Sequence, residues 1–182
     1  MRIIAGSAGG RPLQAPPEGV RPTMDRVKGA IFSSLGDLVP GAVVLDLFAG
    51  SGGMGVEALS RGAESATFVD SLDRCTRCVR ENLRRADVTG IVQTMDAFRF
   101  VDLYAGEEAF DLIFADPPYA KYPGDPDHAA ALVASEKLAA ALRPGGIFVL
   151  EKASGTKLTD GPLSLVKSKR YGGSEILYFS RR

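Results

Sequence analysis

From residue 41 onward the chain alternates two apolar rhythms. Short runs rich in branched residues read as strands: AVVLDLF (42–48), SATFVD (65–70), GIVQTMD (90–96), FDLIFAD (110–116) and GIFVLE (146–151). Between them, MGVEALSRGA (54–63), LDRCTRCVRENLRRA (72–86) and the Ala-rich HAAALVASEKLAAAL (128–142), stopped by RPGG, read as helices. Near-continuous apolar strands separated by helices specify a parallel sheet covered on both faces. The tail changes rhythm. LSLVKSKRYG (163–172) and SEILYFS (174–180) alternate on either side of Gly172-Gly173, which predicts an antiparallel pair at the sheet edge. The N-terminus is read as a short hairpin, with RII (2–4) and RPLQAP (11–16) flanking AGSAGG (5–10). A helix follows in RPTMDRVKGAIFSSLG (21–36): Thr23 is placed to cap it, Asp25 suits its first turn, Val27, Ile31 and Leu35 share a face, and Gly36 ends it. The expectation is one domain over 1–182, with 1–38 as an N-terminal hairpin and helix extension.

Composition adds little: 45% hydrophobic and 24% charged residues are ordinary for a globular chain of 182. No apolar run approaches the roughly 18 residues of a membrane span, and the N-terminus has no secretory pattern, so the expected location is the cytoplasm. Cys75 and Cys78 give no disulfide framework, and a single histidine, His128, leaves zinc short of ligands, so no metal is expected. The two cysteines are read as small helix residues. Charge is more informative. Residues 1–30 hold five Lys/Arg against two Asp/Glu, 152–182 hold seven against two, and 31–151 hold 10 against 18. Basic ends around an acidic centre suit a polyanion gripped from the ends and a neutral or cationic ligand in the middle.

The acidic centre has a pattern. Ligands of open α/β sheets bind beyond the carboxyl ends of the strands. Each of the first four strands delivers an aspartate at or near that end: Asp46, Asp70, Asp96 and Asp116. Between the first two, Gly50, Gly52 and Gly55 match G-x-G-x-x-G where a strand passes into a helix, and Asp70 follows Gly50 by 20 residues, the place of an acid that accepts from ribose hydroxyls. A nucleotide-like cofactor is implied. The pyrophosphate of a dinucleotide among these carboxylates costs on the order of 1 to 4 kcal/mol per close pair. S-adenosyl-L-methionine has ribose and adenine, no phosphate, and a positive sulfonium. In that reading Asp70 takes the ribose, Asp96 with Ala97 the adenine edge, and the Gly50–Gly52 loop, with Asp46 and Phe48, the methionine end.

The fourth strand ends in Asp116-Pro117-Pro118-Tyr119. An aryl exocyclic amine is a poor nucleophile because its lone pair is delocalised into the ring. Asp116 and the carbonyl of Pro117 are placed to accept its N–H bonds, which frees the lone pair. The two prolines stiffen the acceptors, and Tyr119 offers a ring on which a flipped base stacks.

Taken together the chain resembles the RsmD family, the 16S rRNA guanine-N2 methyltransferases of bacteria. The stretches that carry this are RIIAGSAGGRPL, RPTMDRVK, LDLFAGSGGMGVEALSRGA, FADPPY, GGIFVLE and YGGSEILYFS, which span nearly the whole length. The resemblance implies a Rossmann-like class I fold with a mostly parallel seven-stranded sheet. It also implies methyl transfer from S-adenosyl-L-methionine to a guanine N2, leaving S-adenosyl-L-homocysteine, with 16S rRNA in an assembled or assembling small subunit as partner and a monomeric enzyme. By match, Asp116 to Tyr119 form the catalytic loop, and Gly50, Gly52, Asp70 and Asp96 contact cofactor. The family often has glutamate where Asp70 stands, and sometimes asparagine at Asp96. Arg2, Arg11, Arg21 and Arg26 become candidate RNA phosphate contacts. The alternatives are another exocyclic-amine methyltransferase acting on adenine N6 in DNA or RNA, a protein glutamine-N5 methyltransferase, an NAD(P)-dependent oxidoreductase sharing the glycine loop, and a non-catalytic RNA-binding assembly factor.

Overall fold

The computed structural model describes residues 1–15, 24–120, 122, 124–155, 158 and 161–182. The described residues form seven strands, three in a parallel arrangement and four in a mixed one. The chain forms two compact units, Met1–Ala97 and Phe98–Arg182.

In the first unit β1 (Val43–Leu47), β2 (Ser65–Asp70) and β3 (Ile91–Thr94) run parallel in the order β3-β2-β1. Helix α1 (Asp25–Leu35) precedes them, α2 (Gly53–Ser60) joins β1 to β2, and α3 (Asp73–Ala86) joins β2 to β3. Val44, Leu45 and Leu47 are fully buried, as a strand covered on both faces requires. Phe68, in β2, is equally buried. Its ring leaves no room beside it: a Cβ at Gly55 would stand 2.3 Å from Phe68 Cε1, and one at Gly90 would stand 2.7 Å from Cε2. The third glycine of the fingerprint is therefore required by helix-on-strand packing. Helix α3 turns Val79 and Leu83 inward and Arg74, Arg77, Arg80 and Arg84 outward. Cys75 and Cys78 are free and buried on its inner face. Burial pushes the Cys75 thiol up to about 11 and the Cys78 thiol upward, so both stay protonated and unreactive.

The N-terminus forms the expected hairpin in a reduced form: Ile3 N–H donates to Arg11 O at 3.0 Å, Gly10 N–H to Ile3 O at 2.8 Å and Leu13 N–H to Met1 O at 3.1 Å. Arg2 and Pro12 form a single antiparallel bridge, and no strand forms among the described residues of this segment. The backbone groups of 4–8 turn instead to α2. Ser7 N–H donates to Ser60 O at 2.7 Å and Ala8 N–H to Ser60 Oγ at 3.0 Å. The Glu57 carboxylate, fully buried, accepts from Ile4 N–H at 2.7 Å and Ala5 N–H at 3.1 Å. It also meets Arg61 Nε at 2.7 Å and the buried Lys28 Nζ at 3.3 Å. Lys28 Nζ in turn donates to Arg2 O at 2.6 Å. Burial lowers the Lys28 pKa, and Glu57 opposes the shift. Met24, without a side-chain cap bond, holds the N-cap of α1, and Gly36 at φ 52° ends it. Thr23 and Arg21 lie outside the described residues.

The second unit contains α4 (Ala97–Leu103), whose first residue belongs to the first unit, then β4 (Phe110–Ala115), α5 (His128–Val133), α6 (Glu136–Ala141), β5 (Leu142–Ala153), β6 (Leu163–Tyr171) and β7 (Ser174–Arg181). Its strand order is β4-β5-β7-β6, with β4 parallel to β5 and the two later pairings antiparallel. The expected hairpin about Gly172 and Gly173 is present. The Ala-rich stretch is two helices, because Ser135 Oγ accepts from Leu138 N–H at 3.1 Å and caps a new start. The second helix stops at Ala141, just ahead of RPGG as expected, and the RPGG segment itself belongs to β5, with a register irregularity opposite Phe110 and Leu112. The outermost strand, β6, is exposed from 165 to 170 and shows Leu165 and Val166 at 56% and 60% exposure beside Lys167 and Lys169.

Replacing Glu57 strands a buried ammonium and two backbone donors. Glu57→Ala is expected to lower unfolding free energy by about 3–5 kcal/mol, read as a reduced urea midpoint.

Candidate functional site

Strand β1 delivers Asp46 near its end, then turns sharply through Phe48, Gly50 and Gly52 into α2. Phe48 has φ 54°, a left-handed value that costs a non-glycine residue of the order of 1 kcal/mol and marks a turn held by its surroundings. Gly52, at φ 74°, occupies the α2 N-cap. The turn is braced by two carboxylates. Asp70, the last residue of β2, accepts Gly50 N–H on Oδ2 and Leu72 N–H on Oδ1, both at 2.9 Å. Asp46 Oδ2 accepts Gly55 N–H at 2.9 Å. Asn82 closes the far side, donating to Ser51 O at 2.9 Å and accepting Gln14 N–H at 2.7 Å.

Both braces are buried, Asp46 at 3% and Asp70 at 8% exposure. Among the described residues neither forms an ion pair. Burial pushes the Asp46 carboxyl up to about 7; the Gly55 N–H opposes this and the Asp70 charge adds to it. Asp96 is exposed just beyond β3, and Ala97 begins α4, buried. A turn lined by carboxylates without cations favours a positively charged ligand and disfavours a pyrophosphate. These residues therefore fit S-adenosylmethionine, whose ribose hydroxyls would use the remaining acceptor capacity of Asp70.

In the second unit the apolar strand β4 gives way to Asp116, half-buried, then buried Pro117, exposed Pro118 and half-buried Tyr119. The corner is tied at its aromatic end. Tyr119 Oη lies 3.3 Å from Glu151 Oε1 and 3.1 Å from Ser174 Oγ. Burial, with smaller contributions from Glu151 and Asp116, pushes the phenol up to about 12, while Ser174 opposes it. Tyr119 is thus neutral at any working pH and is no general base.

Of the expected arginines, Arg2, Arg11 and Arg26 are exposed in the first unit, and Arg21 lies outside the described residues. Arg2 lies beside Asp25, with Nε 4.0 Å from Oδ2, and Arg11 Nη1 donates to Arg85 O at 3.3 Å on the outer face of α3. Sequence reasoning missed Glu57, Asn82, Glu151 and Ser174. Glu57 had a signal, a lone acid in the otherwise apolar helix GMGVEALS; the other three carried none.

The fold is the Rossmann-like class I fold of S-adenosylmethionine-dependent methyltransferases. The Conserved hypothetical protein 95 family model matches residues 1–180, and the chain belongs to that family, the RsmD family. YlbH of Bacillus subtilis, which carries the name of an rRNA methyltransferase, is 37% identical over 188 residues, covering 100% of both chains. Ribosomal RNA small subunit methyltransferase D of Escherichia coli is 34% identical over 122 residues, 66% of this chain and 61% of that one. Among solved structures, a hypothetical protein of Thermus thermophilus superposes with TM-score 0.82 at 31% identity, covering 99% of each chain.

An aspartate with a pKa raised in the fold contributes stability that is complete below about pH 4 and lost as pH rises through about 7. Asp46→Asn keeps the acceptor for Gly55 N–H and abolishes the titration. Its stability relative to wild type is expected to rise by at least about 1 kcal/mol from pH 4 to pH 8 in urea titrations; a constant difference contradicts this.

Proposed function

We propose that the chain transfers a methyl group from S-adenosylmethionine to the exocyclic N2 of a guanine in 16S rRNA, within an assembled or assembling small subunit. The observation that carries the reading is the Asp116–Tyr119 corner directly after β4, in a chain of the RsmD family. The rRNA substrate rests on the names of YlbH and of the Escherichia coli relative. The choice of guanine N2 rests on the motif resemblance. Residues 1–182 act as one methyltransferase domain, with 1–38 contributing to RNA binding.

When bound, S-adenosylmethionine supplies an electrophilic methyl on a cationic sulfur. Asp70 holds the ribose, Asp96 and Ala97 the adenine edge, and Gly50, Gly52, Asp46 and Phe48 the methionine end. Asp116 and the Pro117 carbonyl accept the two amine N–H bonds, so electron density stays on the nitrogen. Pro117 and Pro118 fix these acceptors before the base arrives, which keeps orientation from being lost to loop motion. The Tyr119 ring stacks the flipped base. After transfer the nitrogen is cationic and acidic, and Asp116 or water accepts its proton. Arg2, Arg11, Arg21 and Arg26 hold phosphates and add salt-dependent affinity without base readout.

Calorimetry with S-adenosylhomocysteine and with NADH tests the cofactor; binding of NADH alone overturns the reading. Asp70→Ala is expected to weaken S-adenosylhomocysteine about 10- to 100-fold, as lost charge-assisted bonds do. Asp116→Ala is expected to lose about 10²–10³-fold in turnover while keeping cofactor affinity. Small subunits from a strain lacking the protein serve as substrate, and nucleoside mass spectrometry reads the product: N2-methylguanosine supports the assignment, and N6-methyladenosine replaces it.

A further inference from the structure

Tyr119 differs from a free aromatic platform. Its phenol reaches two side chains on the paired strands β5 and β7. Glu151 lies near the end of β5 and accepts the phenol proton at 3.3 Å. Ser174, 5% exposed, opens β7 and lies 3.1 Å from the phenol oxygen. With the single phenol proton given to Glu151, the Ser174 hydroxyl donates into the phenol oxygen. The two anchors are rigid with respect to each other, because β5 and β7 are in register there: Ala153 pairs with Ser174, and Glu151 with Ile176. Beside them Lys152 Nζ meets Glu175 Oε2 at 2.9 Å, and Ser168 Oγ donates to Glu175 Oε1 at 2.6 Å, which ties β6 to the same strand ends.

A stacking ring works only if its plane is fixed. The two prolines restrict the backbone before Tyr119 but leave its χ1 and χ2 free. A bond at the far end of the ring removes that freedom. We propose that Ser174 and Glu151 are positioning residues: they clamp the Tyr119 phenol so that the ring is set before a base stacks on it. This rests on the reading of Asp116–Tyr119 as the amine-binding corner. The clamp acts on the orientation of the base and leaves the methyl donor untouched, so it affects turnover and RNA KM and not cofactor affinity.

The test is a mutant cycle on the full chain with the small subunit as substrate. Tyr119→Phe keeps the ring and removes the clamp; kcat/KM is expected to fall about three- to tenfold, the range spanned by one hydrogen bond, with S-adenosylhomocysteine affinity unchanged. Ser174→Ala should fall similarly. The double variant should be no worse than Tyr119→Phe, because Tyr119→Phe already removes the bond that Ser174→Ala breaks. Glu151→Gln retains an acceptor and should recover most of the turnover lost in Glu151→Ala. Multiplicative losses in the double variant, wild-type turnover in Tyr119→Phe, or equal losses of cofactor affinity overturn the clamp. A wild-type chain that methylates no RNA amine, on naked 16S rRNA or on the subunit, overturns the underlying reading and the clamp with it.

Discussion

Two buried carboxylates with no cationic partner among the described residues hold the turn from β1 to α2, and the cofactor assignment depends on them. Desolvating a carboxylate is costly, and here backbone N–H groups supply the compensation: Gly55 for Asp46, and Gly50 and Leu72 for Asp70. The acids fix the loop, and the loop's backbone N–H groups in turn hold the acids in place. Such a turn favours a cationic ligand over a pyrophosphate. The raised Asp46 pKa is the cost of that arrangement, and the left-handed Phe48 is its geometric counterpart.

The N-terminal segment is part of the same construction. Glu57 lies four residues after the start of α2, the helix that the glycine turn opens, and its carboxylate binds Ile4, Ala5, Lys28 and Arg61 at once. Segment 1–8 and α1 are thereby joined to the element that shapes the turn. Arg2 and Arg26 thus project from a framework continuous with α2, which is how a short extension without strands of its own keeps its basic side chains in register.

The α/β core was legible because burial on both faces forces apolar runs, and β1, β2, β4 and α3 fall where those runs lie. The glycine turn was legible because Gly52 and Gly55 answer backbone conformation and packing, which leave marks in sequence. The errors have local causes. The N-terminal hairpin pairs only over Met1–Ile3 and Gly10–Leu13, because the backbone groups that follow Ile3 turn to α2. Ser135 restarted a helix inside a favourable alanine run. Strand β5 ran back through Pro144 and the glycines, which normally punctuate. The turn of helix α4 is too short to show a period. Of the candidate site, the acids and prolines were readable from their strand-end positions. The Tyr119 anchors were not, because Ser174 lies 55 residues away and meets it only through strand pairing.

The outermost strand β6 leaves one row of backbone donors and acceptors open, and it displays Leu165 and Val166 to water. By itself that is a template on which another copy could add its own strand. Lys167 and Lys169 sit in the middle of it, Lys167 Nζ 5.4 Å over the Tyr178 ring, and a second copy approaching edge to edge would bring like charges close together. Lysines on an exposed edge strand disfavour its use as a pairing template while leaving the apolar margin bare.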